Sequence, residues 1–329
     1  MTQAPVLVVV DHVDGAPTVP STELLTAARE IAGGAPVEAV WLGEAAPDDA
    51  ARDQLGRFGA ATVHLPRLGG LAPQLTAVAV DAVHAVVGAA RPQAVLVVSS
   101  FAGKELAAGL AVRLGSGAVV DARGLTRGDG GGLVASKTAF AATWDTECTV
   151  TRGVPVIALE PTAVTAEPAP VPGAAEPVPV EVTFTDRARA VRVVERVEHP
   201  RSGGVALTEA TTVVVGGRGT DGDFTAVEEL AELLGGAVGA TRDVTDEGWR
   251  DHSAQVGQTG VTVAPRLYIG AGVSGAVHHT VGMRAAQTVV AINTDPEAPI
   301  FEIADFGVVG ALEDVLPQAI EALRTHLGR

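Results

Sequence analysis

The sequence predicts an α/β protein built from two doubly wound parallel-sheet domains, the second of them Rossmann-like. Three observations carry this. Short continuous runs of Val, Ile and Leu, the signature of parallel strands buried on both faces, alternate with stretches of helical periodicity. At 329 residues the chain exceeds the about 100–200 residues of a single domain. A fresh strand–glycine turn–helix series begins near residue 211, beyond a Pro/Ala/Glu-rich segment at 160–179.

The first domain is assigned to residues 1–200. Val6–Val10 reads as a buried strand ending at Asp11-His12, and Ser21 as the cap of a helix over Thr22–Ala32 that stops at Gly33-Gly34. A strand at Val37–Leu42, a helix at Asp48–Phe58, a strand at Thr62–Leu65 and a helix at Pro73–Ala90 continue the alternation. Gln93–Ser99 is the next strand, and the loop Ser99–Lys104 feeds a helix running through Leu114. The rhythm then changes. Ala118–Val120, the glycine turn Asp129–Gly132 and an alternating segment through Cys148 and Val150 read as hairpin structure, before Val154–Leu159 returns as a strand. Glu160–Pro179 is expected to form neither ladder nor helix and to run as an extended strap. Glu181–Val197 alternates and is expected to rejoin a sheet edge, with the domain boundary at His199–Gly204.

The second domain, residues 205–329, opens with a strand at Thr211–Val215. Gly217, Gly219 and Gly222 then satisfy G-x-G-x-x-G between that strand and a helix over Phe224–Leu234. Such glycines let the backbone approach a pyrophosphate that the following helix N-terminus would hold; the alternative is a tight turn with no ligand. Arg218 is placed to fork onto phosphate oxygens. A strand at Ala237–Ala240 leads to Thr241-Arg242-Asp243, and Asp243 lies where a dinucleotide fold places its ribose-binding acid. Val256–Gly260 is a polar, glycine-flanked turn. After a strand at Leu267–Gly270, Ser274-Gly275 repeats the strand–turn–helix device, with Ser274 as helix cap or phosphate ligand. His278 and His279 point about 100° apart on a helix, so they cannot share one metal. Asn293 and Asp295 follow a strand at Thr288–Ile292, at its carboxyl end, where open α/β sheets bind ligands; an Asx turn before Pro296 is the plainer alternative.

Composition narrows the function classes. A net charge of −16 argues against a nucleic-acid partner, and the 3% aromatic content removes base stacking as a theme. Cys148 is the single cysteine, which excludes an intramolecular disulfide and a four-thiolate metal site. Because the N-terminal apolar run spans only Val6–Val10, no signal peptide or membrane span is expected there, and the chain reads as cytoplasmic. No G-x-S-x-G, H-E-x-x-H, C-x-x-C or Walker lysine marks a hydrolase, metalloprotease, thiol-redox or phosphotransfer centre. A nicotinamide-dependent dehydrogenase and a non-redox nucleotide-binding module remain as alternatives on the glycine motif alone.

The segments VVVGGRG (213–219), VGATR (238–242), QVGQTG (255–260), LYIGAGVSGAVHH (267–279), GM (282–283), AINTDPEAPIF (291–301) and ADFGVVG (304–310) resemble the FAD-binding domain of electron transfer flavoprotein alpha subunits. The first domain matches more loosely, through its α/β pattern and the loop SSFAGKELA. The resemblance implies a bacterial, cytoplasmic electron carrier with no organic substrate of its own. It implies one FAD per heterodimer with a beta subunit, which is contacted by the first domain and carries AMP. Flavin dehydrogenases such as the acyl-CoA dehydrogenases of fatty acid beta-oxidation would donate electrons, and a membrane quinone oxidoreductase would accept them. Carried over by position, Arg218 contacts FAD, Thr241 holds a place often taken by serine, and Arg242 lies over the isoalloxazine. Val256, Gly257, Gln258 and Thr259 run along the flavin with Thr259 near N5. Ser274, Gly275, Ala276, Val277, His278 and His279 run from pyrophosphate to ring, and Asn293 reaches the adenosine end. His279 is expected at the C2 carbonyl, where as a cation or as a hydrogen-bond donor it would, with Arg242, stabilise negative charge on a flavin that has gained one electron; a nearby flavin anion could keep the imidazole protonated. Two departures stand out: His278 replaces a usual glutamine, and Ala311 a usual aspartate.

Overall fold

A computed structural model describes residues 3–128, 130–140, 144–195 and 205–328. The chain folds as two compact units: among the described residues, 3–139 and 144–195 form the first and 205–328 the second. The expected boundary segment, His199–Gly204, lies outside the described residues, as do Asp129 of the glycine turn and 196–197 at the end of the expected edge strand.

The first unit runs β1 (Val6–Val10), a two-residue ribbon of β2 (His12–Val13) and β3 (Ala16–Pro17), α1 (Val19–Ala32), β4 (Val37–Trp41), α2 (Asp49–Arg57), β5 (Ala60–Pro66) and α3 (Thr76–Ala90). It continues with β6 (Ala94–Val98), α4 (Phe101–Leu114), β7 (Ala118–Arg127), β8 (Leu133–Ala139), β9 (Trp144–Thr149), β10 (Val156–Leu159), β11 (Glu176–Val180) and α5 (Asp186–Ala190). Among the described residues nine strands form one sheet in the order β11-β5-β4-β1-β6-β10-β7-β8-β9. It is parallel from β11 to β7, while β8 and β9 extend it antiparallel. The central strands β1, β6 and β10 are buried along their whole length, which is why their sequences are apolar without alternation. Val6, Val8 and Val10 pack with Leu24, Leu25 and Leu55 of α1 and α2, whereas Leu7 and Val9 pack with Val83, Val86 and Leu110 of α3 and α4. Helices therefore cover both faces, as double winding requires.

Three expectations differ from the structure. The strap expected to form no ladder carries an edge strand, β11, in its last residues, and the described residues 181–195 contain no strand: among them are Thr185, which caps α5, and α5 itself. Successive residues of a strand point their N–H groups to opposite sides, so Pro177 and Pro179, two apart, both turn their missing donor away from β5. Ser21 sits within the first turn of α1, not at its cap position, which is Thr18; its hydroxyl donates to the Asp11 carbonyl at 2.9 Å and accepts from the Asp11 N–H at 2.8 Å.

The second unit comprises β12 (Thr212–Gly216), α6 (Thr225–Leu233), β13 (Ala237–Ala240), α7 (Arg242–Asp246), β14 (Leu267–Ala271), α8 (Val277–Thr280), β15 (Thr288–Asn293), β16 (Phe306–Val309) and α9 (Leu312–Leu327). Its five strands are all parallel, in the order β13-β12-β14-β15-β16. Val214 and Ile269 face α6 and α9 through Leu230, Leu316 and Ile320. Val213, Val215 and Tyr268 face Val256, Val263, Met283 and Ile300, which come from loops and single turns. One face is thus closed by long helices and the other by irregular chain. Among the described residues no helix is long and apolar enough to cross a membrane.

Candidate functional site

Parallel pairing brings the carboxyl ends of β12, β13, β14 and β15 to one side of the second sheet, where open α/β sheets bind ligands. The loops leaving them are tied by main-chain bonds: Gly217 N–H to Ala271 O at 2.9 Å, Thr241 N–H to Gly216 O at 3.1 Å and Gly272 N–H to Ile292 O at 2.8 Å. Gly217 and Gly219 touch the backbone of Gly272. A Cβ on Gly217 would fall 2.1 Å from the Gly272 carbonyl oxygen, and one on Gly219 2.9 Å from the Gly272 α-carbon. These glycines are needed for loop-on-loop packing. Gly222, at φ +85°, turns the chain against Trp249.

At the start of α6, hydrogen bonding from the Thr225 side chain and from the Thr225 N–H, at 2.9 Å, holds the Asp223 carboxyl below the usual range, so a carboxylate sits where the pyrophosphate was expected. Asp243 lies exposed in the first turn of α7. The groups left for a ligand are at the turns. Arg218 is exposed in a 3-10 turn, Arg218–Thr220, and Arg242 is 65% exposed with its Nε 3.1 Å from Asp246. Beside Arg242, the Thr241 hydroxyl is buried without a hydrogen-bond partner. Two exposed guanidiniums on the loops leaving adjacent strands, with a buried hydroxyl that lacks a partner at the same sheet end, fit a bound anionic, polar group.

The loop 256–260 packs on α8. Gly257 adopts φ +146°, and a Cβ there would meet the His278 carbonyl oxygen at 2.8 Å; Gln258 N–H donates to that oxygen at 2.7 Å. Gln258 Oε1 lies 3.0 Å from His278 Nδ1, on the exposed side. His279 turns the other way, into the core. Its Nδ1–H donates to the Val256 carbonyl at 3.0 Å, so its Nε2 accepts from the Tyr268 hydroxyl at 2.7 Å. The two rings diverge as their adjacent helical positions require. Burial pushes His279 down to about 4, outweighing the Val256 hydrogen bond and favouring the neutral ring, and burial raises the Tyr268 hydroxyl.

Ser274 is exposed and is not a helix cap; the cap position of the four-residue α8 is Ala276, with Val277 leading the helix and no side chain capping it. The Ser274 carbonyl instead accepts from Ile300 N–H, and Gly275, at φ +86°, lies so close that a Cβ would be 2.3 Å from Ile300 N. Asn293 Nδ2 donates to Val273 O at 2.9 Å and its Oδ1 accepts from Asp295 N–H, so the Asx turn is present and also ties β15 to the Ser274 loop. Ala311 is the cap position of α9 and offers no side-chain bond; Gly310 N–H donates to Asn293 O.

Two residues escaped the sequence reading. Tyr268 passed as one apolar strand residue, although a fully buried tyrosine needs a partner for its hydroxyl. Gln255, buried at 5% exposure, joins Thr245 of α7 to Thr259, with Thr245 Oγ1 at 2.9 Å from its Oε1 and its Nε2 2.9 Å from Thr259 Oγ1. A glutamine just ahead of a glycine-flanked turn was the available signal.

Family models match both units: the electron transfer flavoprotein domain over residues 6–186 and the electron transfer flavoprotein FAD-binding domain over residues 206–284. The chain is 40% identical over 327 residues to electron transfer flavoprotein subunit alpha of Mycobacterium leprae (strain TN), covering 99% of this chain and 100% of that protein. It is 42% identical over 327 residues to the subunit alpha of Mycobacterium tuberculosis (strain ATCC 25618 / H37Rv), with the same coverage. Over 120 residues, 36% of this chain and 34% of that protein, identity to the mitochondrial subunit alpha of Dictyostelium discoideum is 52%.

Proposed function

The chain belongs to the electron transfer flavoprotein alpha-subunit family, and from that premise we propose that it pairs with a beta subunit to carry electrons singly on one FAD. In this reading residues 205–329 hold the FAD, residues 1–200 contact the beta subunit, and AMP resides in that partner. Flavin dehydrogenases such as acyl-CoA dehydrogenases supply the electrons and a membrane quinone oxidoreductase takes them. The observation that carries the FAD assignment is the carboxyl edge of the second sheet, where Arg218 and Arg242 are exposed just beyond the ends of adjacent strands and the Thr241 hydroxyl is buried without a partner.

When bound, FAD supplies a ring that accepts and releases single electrons. The protein's part is binding and electrostatics. Arg218, Ser274, Gly275 and Ala276 serve the phosphates, and Asn293 serves the adenosine end. Arg242 supplies positive charge beside the ring: its Nε is engaged by Asp246 while the rest of the guanidinium is exposed. Val256, Gly257, Gln258 and Thr259 border the ring, with Val277 and His278 on the facing turn. His279, neutral and held at both nitrogens, acts by its fixed position, which leaves Arg242 as the cation that favours added negative charge.

Co-production with a beta subunit and purification should give a yellow heterodimer with visible flavin absorption and one FAD per pair. A colourless monomer that binds NAD would overturn the reading.

A further inference from the structure

We propose that Gln255 is a positioning residue that aims the Thr259 hydroxyl proton outward, toward the flavin ring; the inference rests on the reading that Thr259 borders the FAD.

Gln255 is locked in its main chain. Its N–H donates to His252 O at 3.0 Å, its carbonyl accepts from Val261 N–H at 2.7 Å, and it bridges to Ala240 at the end of β13. Gly260 presses on that carbonyl: a Cβ there would lie 2.2 Å from Gln255 O. The side chain is held at its far end too. Its Oε1 lies 2.9 Å from Thr245 Oγ1, whose one proton it shares with the Arg242 carbonyl, also at 2.9 Å, and 3.4 Å from the His252 Nδ1. That orientation turns Nε2 to Thr259 Oγ1 at 2.9 Å.

An amide nitrogen has only protons to give, and a hydroxyl has one proton and two lone pairs. Toward Gln255, therefore, the Thr259 oxygen accepts, and its single proton is directed elsewhere. Thr259 is exposed, so elsewhere is the ligand side. A fixed O–H donor favours a ring nitrogen that has gained electron density and kept its lone pair, and it disfavours the same nitrogen carrying a proton. The amide turned end for end would take the Thr259 proton inward and present lone pairs, reversing that preference. Thr245 lies three residues after Arg242 on α7, so the helix that presents the guanidinium also anchors the amide.

The test is spectroelectrochemical titration of the FAD-loaded heterodimer, with FAD content and melting temperature recorded for each variant. Thr259→Val should disfavour the first electron about tenfold, ~59 mV for a one-electron couple. Gln255→Leu should move the same couple in the same direction by less, and Thr245→Val should follow it, which keeps the idea testable where burying leucine unfolds the loop. The Q255L/T259V pair should equal T259V alone, because Gln255 acts through that hydroxyl. Thr259→Ser should restore both the potential and its dependence on Gln255. Additive shifts in the double variant, or a wild-type first potential in Gln255→Leu and Thr245→Val while Thr259→Val is shifted, overturn the inference and leave the site reading standing. An unshifted Thr259→Val removes the ring from Thr259 and takes both down.

Discussion

The two parallel sheets use their carboxyl ends in opposite ways. In the first unit, Ser99 and Asp121 exchange hydrogen bonds at 2.9 and 3.0 Å, Lys104 sits 2.5 Å from Asp121, and Arg123 lies 3.6 Å from Glu160. Polar side chains there are spent on one another. In the second unit the Thr241 hydroxyl is left without a partner, Arg218 is exposed, and the loops are held together by main-chain hydrogen bonds and glycine contacts. The same architecture thus gives a closed sheet end in one unit and an open one in the other. What separates them is whether side chains or backbone do the tying, since only backbone tying leaves side chains over for a ligand.

Crowding the glycine contact should do the most damage. Gly217→Ala places a methyl 2.1 Å from a backbone oxygen that has no side-chain freedom to retreat, and we expect a loss of roughly 2–5 kcal/mol with depleted FAD, measured by denaturant unfolding and flavin content. Tyr268→Phe comes next. It strands the buried Nε2 of His279, costing about 1–3 kcal/mol in the same unfolding measurement.

The smallest effects, through pH, differ in sign between the units. Burial lifts Glu160 from 4.5 to about 7, so the folded state binds the proton more tightly than the unfolded chain. Its contribution is full below pH 4.5 and is lost as pH rises through 7. Burial lowers His279 from 6.5 to about 4, so its contribution is present above pH 6.5 and is lost as pH falls toward 4. Glu160→Gln should flatten the decline between pH 4.5 and 7 and leave the protein about 1–2 kcal/mol more stable at pH 8, while the acid-side loss from His279 persists. A melting profile across pH 4–8 in which E160Q and wild type run parallel would remove the distinction.

Much of this was legible from residue order. Val6–Val10, Ala237–Ala240 and the strands flanking the glycine turns could be read because burial on both faces forbids polar residues. Val256–Thr259 could be read as a turn and Ser274–His279 as a turn entering a helix, and the structure joins them through Gln258 with His278 and Val256 with His279. The edge strand β11 was hidden because prolines ordinarily exclude a ladder, and only its position at the sheet edge permits them. Asp223 at the start of α6, the neutrality of His279 and the anchoring of Gln255 are all matters of which partner a polar atom meets in space. Spacing along the chain does not carry that information.

The contrast between a closed and an open sheet end is tested most directly by calorimetric titration of FAD into the FAD-stripped heterodimer. The account predicts one FAD per heterodimer, bound at least about tenfold more weakly by Arg242→Ala, through loss of a charge-assisted contact, and with unchanged affinity by Lys104→Ala. Weakened binding in Lys104→Ala with wild-type affinity in Arg242→Ala would place the cofactor at the wrong sheet and contradict it.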